Sequence, residues 1–101
     1  MSSDTGAGGD NPSGGIGLRL DKWLFHARFI KHRQLAGDLV RKRRIRLNSQ
    51  IVTKSHQLVR VGDVATLIHG NAILVVRVRA LGTRRGPASE AQALYDVIDR
   101  A

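Results

Sequence analysis

The apolar residues of this chain change their spacing once, at the run Arg41-Lys42-Arg43-Arg44, and that change dictates a mixed fold. Ahead of the run, Leu20, Trp23, Leu24, Ala27 and Ile30 keep the spacing of one helix stripe, which predicts a helix from Leu18. A second helix is expected from about Arg33 to Arg41. It would bury Leu35, Ala36, Leu39 and Val40, although Gly37 costs roughly 1 kcal/mol relative to Ala inside it. Two short amphipathic helices should therefore pack as a pair.

Beyond the run the period becomes two. Ile45 and Leu47 alternate with Arg46, Asn48-Ser49 offers a turn and Ile51-Val52 resumes the apolar pattern, which reads as a hairpin. Val59 and Val61 lead to Gly62-Asp63, after which Val64, Thr66 and Ile68 alternate. His69-Gly70-Asn71 supplies another turn, and the segment from Ile73 to Arg79 is the longest strand. Near the end, Gly86-Pro87 breaks the chain. Ser89-Glu90-Ala91-Gln92 then has the form of a capping box, predicting a last helix with Leu94, Tyr95 and Ile98 on its apolar side. The expected fold is α+β: two packed N-terminal helices, a small antiparallel sheet of four to five strands, and a C-terminal helix.

A chain of 101 residues allows one ordinary core, and 29 Leu, Ile, Val and Phe are enough to fill it, above the roughly 20% below which chains stay disordered. Residues 1–17 hold six of the 11 glycines and no Lys or Arg, so they read as a disordered Gly/Ser-rich tail. Residues 18–83 read as the main domain, and 84–101 as a basic loop with the last helix. The 17 bases, 13 of them Arg, all lie beyond the tail with six of the eight acids, so this part carries 17 − 6 = +11. Such a balance calls for a polyanionic partner.

Several function classes drop out. Zero cysteines exclude disulfides, thiolate zinc and a cysteine nucleophile. No apolar run is long enough to span a bilayer and no signal peptide is visible, so the expectation is a cytoplasmic protein without membrane contact. No nucleophile elbow, phosphate-cradling loop or dinucleotide fingerprint is present, and none of His26, His32, His56 and His69 has metal-ligand spacing. The protein is thus expected to be no enzyme and to need no cofactor or metal, with a ribonuclease built on His26 and His32 as an alternative. A role remains for the bases themselves. Lys31, Arg33, Arg41, Lys42, Arg43, Arg44 and Arg46 fall at helix ends and in the first strand, where a helix pair with a short connection could bring them to one face. Guanidinium forks match phosphate oxygens there. Trp23 is on the apolar stripe and belongs in the core. With aromatics at 4%, recognition should lean on phosphates and shape, as in structured RNA. Duplex DNA is the rival target, and a protein-docking module is a third reading.

Arg19-Leu20-Asp21-Lys22-Trp23-Leu24, then Arg28, Arg33, Ala36, Leu39, Ile45, Leu47, Asn48 and Val61-Gly62-Asp63, resemble the RNA-binding domain of the ribosomal protein S four type, the αL motif. The likeness covers about residues 18–68. Arg84 to Ala91 through Leu94-Tyr95 is similar to the segment that follows this domain in the family of small bacterial heat-shock proteins of fifteen kilodaltons. The resemblance implies a free-standing, ribosome-associated factor that binds ribosomal RNA of the large subunit and helps recycle stalled subunits carrying a nascent chain; a monomer is expected. It further implies RNA contacts at Arg19, Lys22, Arg28, Arg33 and Asn48, with Asp21 serving structure. Where that family places Gly after its second helix, this chain has Lys42 and Arg43, and where it turns with Asn-Gly, this chain has Asn48-Ser49. Left-handed non-glycine residues, costing of the order of 1 kcal/mol each, are expected at both places. The resemblance also implies a basic C-terminal extension beyond the matched segments.

Overall fold

The computed structural model describes residues 17–100, so the proposed tail lies outside the described residues except for Gly17. Gly17 already belongs to the folded part, because a Cβ there would stand 3.2 Å from Leu58 Cβ. The described chain opens with β1 (Leu18–Arg19), α1 (Leu20–His26) and α2 (Gln34–Arg41). Next come β2 (Ile45–Leu47), β3 (Gln50–Ile51), β4 (Leu58–Val59), β5 (Val64–His69) and β6 (Ala72–Val78). The chain closes with α3 (Ala88–Gln92) and β7 (Tyr95–Arg100). This is the expected α+β architecture. Strands β3-β2-β5-β6-β7 form one antiparallel sheet, and β1 pairs with β4 in a separate two-stranded brace.

Both helices of the pair end in the same way. After α1, the amide of Arg28 donates to the Phe25 carbonyl and that of Phe29 to Leu24; after α2, Arg43 donates to Val40 and Arg44 to Leu39. This double closure needs a left-handed residue just past the helix, a place usually taken by Gly. Here it is taken by Arg28 at φ 65° and Arg43 at φ 56°. The expectation of a strained residue at Arg43 is met. Its counterpart at Arg28 explains why α1 stops at His26, short of the stripe's end, with Ala27 and Ile30 buried from the turn that follows.

The first hairpin also forms as expected. Arg46 faces Ile51 and Leu47 faces Gln50, with Asn48 and Ser49 both left-handed at φ 53° and 72° between them. Two successive positive φ values make the primed turn whose twist suits a hairpin. The Asn48 side chain secures it, donating to Asp63 Oδ1 at 3.1 Å and accepting the Val64 amide at 2.9 Å. Asp63 in turn accepts the Arg60 amide at 2.9 Å, so two turns are latched together beside Gly62 at φ 97°.

The core lies between the helix pair and one face of the sheet. Leu20, Trp23 and Leu24 of α1 meet Ala36 and Val40 of α2, Ile45 and Leu47 of β2, and Ala65, Val76 and Val78 of β5 and β6, all buried. Each large side chain removed from water contributes roughly 1.5–3 kcal/mol. Trp23 is fully buried and its indole N–H donates to the Ala80 carbonyl at 3.0 Å, so the core reading of this residue holds. On β5 the inward residue is Ala65, not the alternating set that begins at Val64, which is half-buried.

The C-terminal expectation needs correction. Helix α3 covers only five residues, Pro87 precedes it, and no side chain caps it, so Ser89 is inside the helix and the capping box does not form. Leu94 and Tyr95 are not on a helix. Leu94 is buried beyond α3, and Tyr95 begins β7, which pairs with β6. Val76 faces Val97 and Val75 faces Asp99, leaving Ile98 as the extra residue of a bulge. That bulge breaks the period of two and leaves Val97 and Ile98 both exposed.

Candidate nucleic-acid interface

Eleven residues were expected at the interface, and the fold gathers most of them into small groups. Arg19 and Arg33 share one carboxylate. Arg19 grips Asp21 through Nε at 3.2 Å and Nη2 at 2.8 Å, while Arg33 Nη2 lies 3.5 Å from the same Oδ2. Asp21 is buried at 6% exposure at the first turn of α1, where the helix dipole also favours its charge. It therefore fixes two guanidiniums whose outer edges remain in water, the structural role expected of it. Lys22, half-buried, is next to it on α1.

Lys31, Lys42 and Arg44 make the second group. They line one hollow of about 470 Å³ that runs along α2, from Lys31 before it to Lys42 after it, and reaches the turn between β5 and β6. Arg44 Nη1 reaches the Gly70 carbonyl at 3.4 Å. Asp38, the one acid lining this hollow, is ion-paired with Arg41. Arg41 and Arg43 line a smaller depression of about 180 Å³ against Ile51, Val52 and Thr53. Arg46 stands on the exposed side of β2, between the pairing partners Ile51 and Thr66.

Two of the eleven are tied elsewhere. Arg28 donates through Nε to the Gly86 carbonyl at 2.7 Å, bridging the end of α1 to the segment before α3. Asn48 spends its amide on the latch to Asp63 and Val64, which gives it a structural task that sequence reasoning did not assign. His26 is buried with Nδ1 3.2 Å from the Leu81 carbonyl oxygen, so it is not presented to a phosphate beside His32. Among the described residues, no three His, Cys, Asp or Glu could hold a metal ion.

The hollow itself was not foreseen, nor was the part of His69 and Gly70 in its rim. Their sequence signal was that of a turn, and nothing local shows that this turn meets α2. Arg85 was likewise unassigned, and its guanidinium lies 5.1 Å from the centre of the Phe25 ring, a cation–π contact across 60 residues of chain.

Residues 18–64 match the S4 domain. The chain is 40% identical over 81 residues to heat shock protein 15 of Escherichia coli, covering 80% of this chain and 60% of that protein. Thus it spans about three fifths of the length of that relative. It is 34% identical over 83 residues to the RQC P-site tRNA stabilizing factor of Streptococcus pneumoniae, covering 80% of this chain and 90% of the relative. A trimeric structure of Vibrio cholerae heat shock protein 15 superposes with a TM-score of 0.75 at 35% identity, covering 81% of this chain and 82% of that one. With the paired helices, latched hairpin and antiparallel sheet in place, the chain belongs to the heat shock protein 15 family of S4-domain proteins.

Proposed function

We propose that this protein is a non-enzymatic factor that binds ribosomal RNA of the large ribosomal subunit in the cytoplasm and helps recycle stalled subunits that carry a nascent chain. The observation that carries this reading is that Lys31, Lys42 and Arg44 line one hollow, with the two lysines flanking the two ends of α2. Neither lysine has a carboxylate partner among the described residues. Like charges left together without compensation repel one another and are satisfied by an anionic ligand. Relatives support the ribosomal assignment, since one is named for a P-site tRNA. No helix among the described residues is long and apolar enough to cross a membrane.

Binding of this kind releases counterions, so log affinity should fall against log salt with a slope of about −0.7 to −0.9 per neutralised phosphate. About five contacts would give a slope near −4. Filter binding of a large-subunit RNA fragment across a salt series checks it, and an affinity indifferent to salt rules the mechanism out. Duplex DNA at equal phosphate concentration serves as competitor. Preferential displacement by DNA would favour the rival reading.

A further inference from the structure

The hollow framed by Lys31, Lys42 and Arg44 has a feature that phosphate attraction does not require: its wall is apolar. Ile30 of the turn after α1, Leu39 of α2 and Ile68 of β5 line it alongside the cations. A second hollow of about 240 Å³ shares those three residues and extends the apolar lining to Leu24, Leu67 and Leu74. Its larger part, about 470 Å³, falls within the roughly 300–1,000 Å³ of sites that hold small organic ligands. An apolar recess open to water is costly unless something fills it.

We infer that this hollow seats one unstacked nucleotide of the bound RNA, its base against the apolar wall and its phosphate toward the cations that line it. The inference rests on the RNA-binding reading above. Charge complementarity selects the occupant. A base is flat, largely apolar on its faces and carries its anion at a short fixed distance, which matches an apolar wall under a cationic rim. Arg44 is half-buried and its Nη1 stands 3.4 Å from the Gly70 carbonyl oxygen, which leaves the rest of its guanidinium fork free for phosphate oxygens. His69, exposed on the rim, offers an imidazole face for stacking. With so few aromatics in the chain, a row of stacked bases has no platform, and one recess accepts one base. Paired bases inside a helix could not enter, so the site would favour bulges, loops and unpaired ends.

Amide chemical shifts of the full chain, recorded while adding adenosine monophosphate or ribose 5-phosphate, test this directly. The expected result is a set of shifts at Leu39, His69 and Gly70, with the nucleotide binding about tenfold more tightly than the sugar phosphate, as a seated base implies. Leu35→Trp fills the hollow and should abolish these shifts. It should also lower, by about tenfold, the preference for an RNA duplex with a one-base bulge over the same duplex without it. Should Leu35→Trp not fold, Lys42→Glu on the exposed rim must reduce nucleotide binding more than it reduces adenosine binding. Equal affinity for nucleotide and sugar phosphate, shifts confined to other surfaces, or stronger displacement by a hexaglutamate peptide overturns the inference. RNA binding that survives without nucleotide shifts removes the seat but leaves the proposed function. Nucleotide shifts without RNA binding do the reverse.

Discussion

Two arginines occupy backbone positions that glycine would take without strain. Arg28 and Arg43 each follow a helix in the left-handed conformation, at an energetic cost of about 1 kcal/mol. Part of the cost is offset, because a cation beside a helix C-terminus is favourable to the dipole. Arg43→Gly should therefore raise stability by about 0.5–1 kcal/mol, seen as roughly 2–8 °C in a thermal melt, while weakening RNA binding. A melting point that falls would show that the arginine is structurally required at this place. Arg28→Gly should gain less, since it forfeits the 2.7 Å hydrogen bond to Gly86. Asp21 makes the complementary point: one buried carboxylate pairs with two guanidiniums and so helps to set where both stand.

Among the elements, the first hairpin invites the simplest test. Ser49→Gly creates the Asn-Gly pair that fits two left-handed residues, and after allowing for the added freedom of the unfolded chain it should stabilise by about 0.5 kcal/mol. Denaturant unfolding checks this, and no shift in the midpoint would mean that Ser49 is unstrained. The same hairpin shows what was legible in sequence. Local rules located α2 within a residue, the β2–β3 turn and the β5–β6 turn at Gly70, because each depends on periodicity and turn chemistry within a few residues. The brace β1–β4 was missed, since two residues carry no period and their partners are about 40 positions away. Strand β7 read as helix because the bulge at Ile98 disrupts alternation, and only the open edge of β6 explains why the segment extends. For the candidate site, the cations were legible one by one. Their grouping was not, because it depends on α2 meeting the β5–β6 turn.

Across the whole molecule, the described residues carry 17 bases and six acids, 17 − 6 = +11. Five of those bases stand within ion-pair distance of a carboxylate among the described residues: Arg19, Arg33, Arg41, Arg79 and Arg84. Exposed pairs are worth little, whereas the remaining cations repel one another, and salt screens both over a length of about 10 Å at 0.1 M. Repulsion should win, so the melting temperature should rise between about 50 and 300 mM salt, the reverse of the trend for RNA affinity. A melting temperature that falls would mean that the ion pairs dominate. The small brace has a mechanical consequence. Leu18 and Arg19 hold Val59 and Leu58 through two residue pairs, extended by amides of Leu20 and Asp21 to the Gln57 and Ser55 carbonyls. A tether pulling on the chain ahead of Leu18 would peel this short zipper first, and the five-stranded sheet would feel the load only after Trp23 had been drawn from its socket.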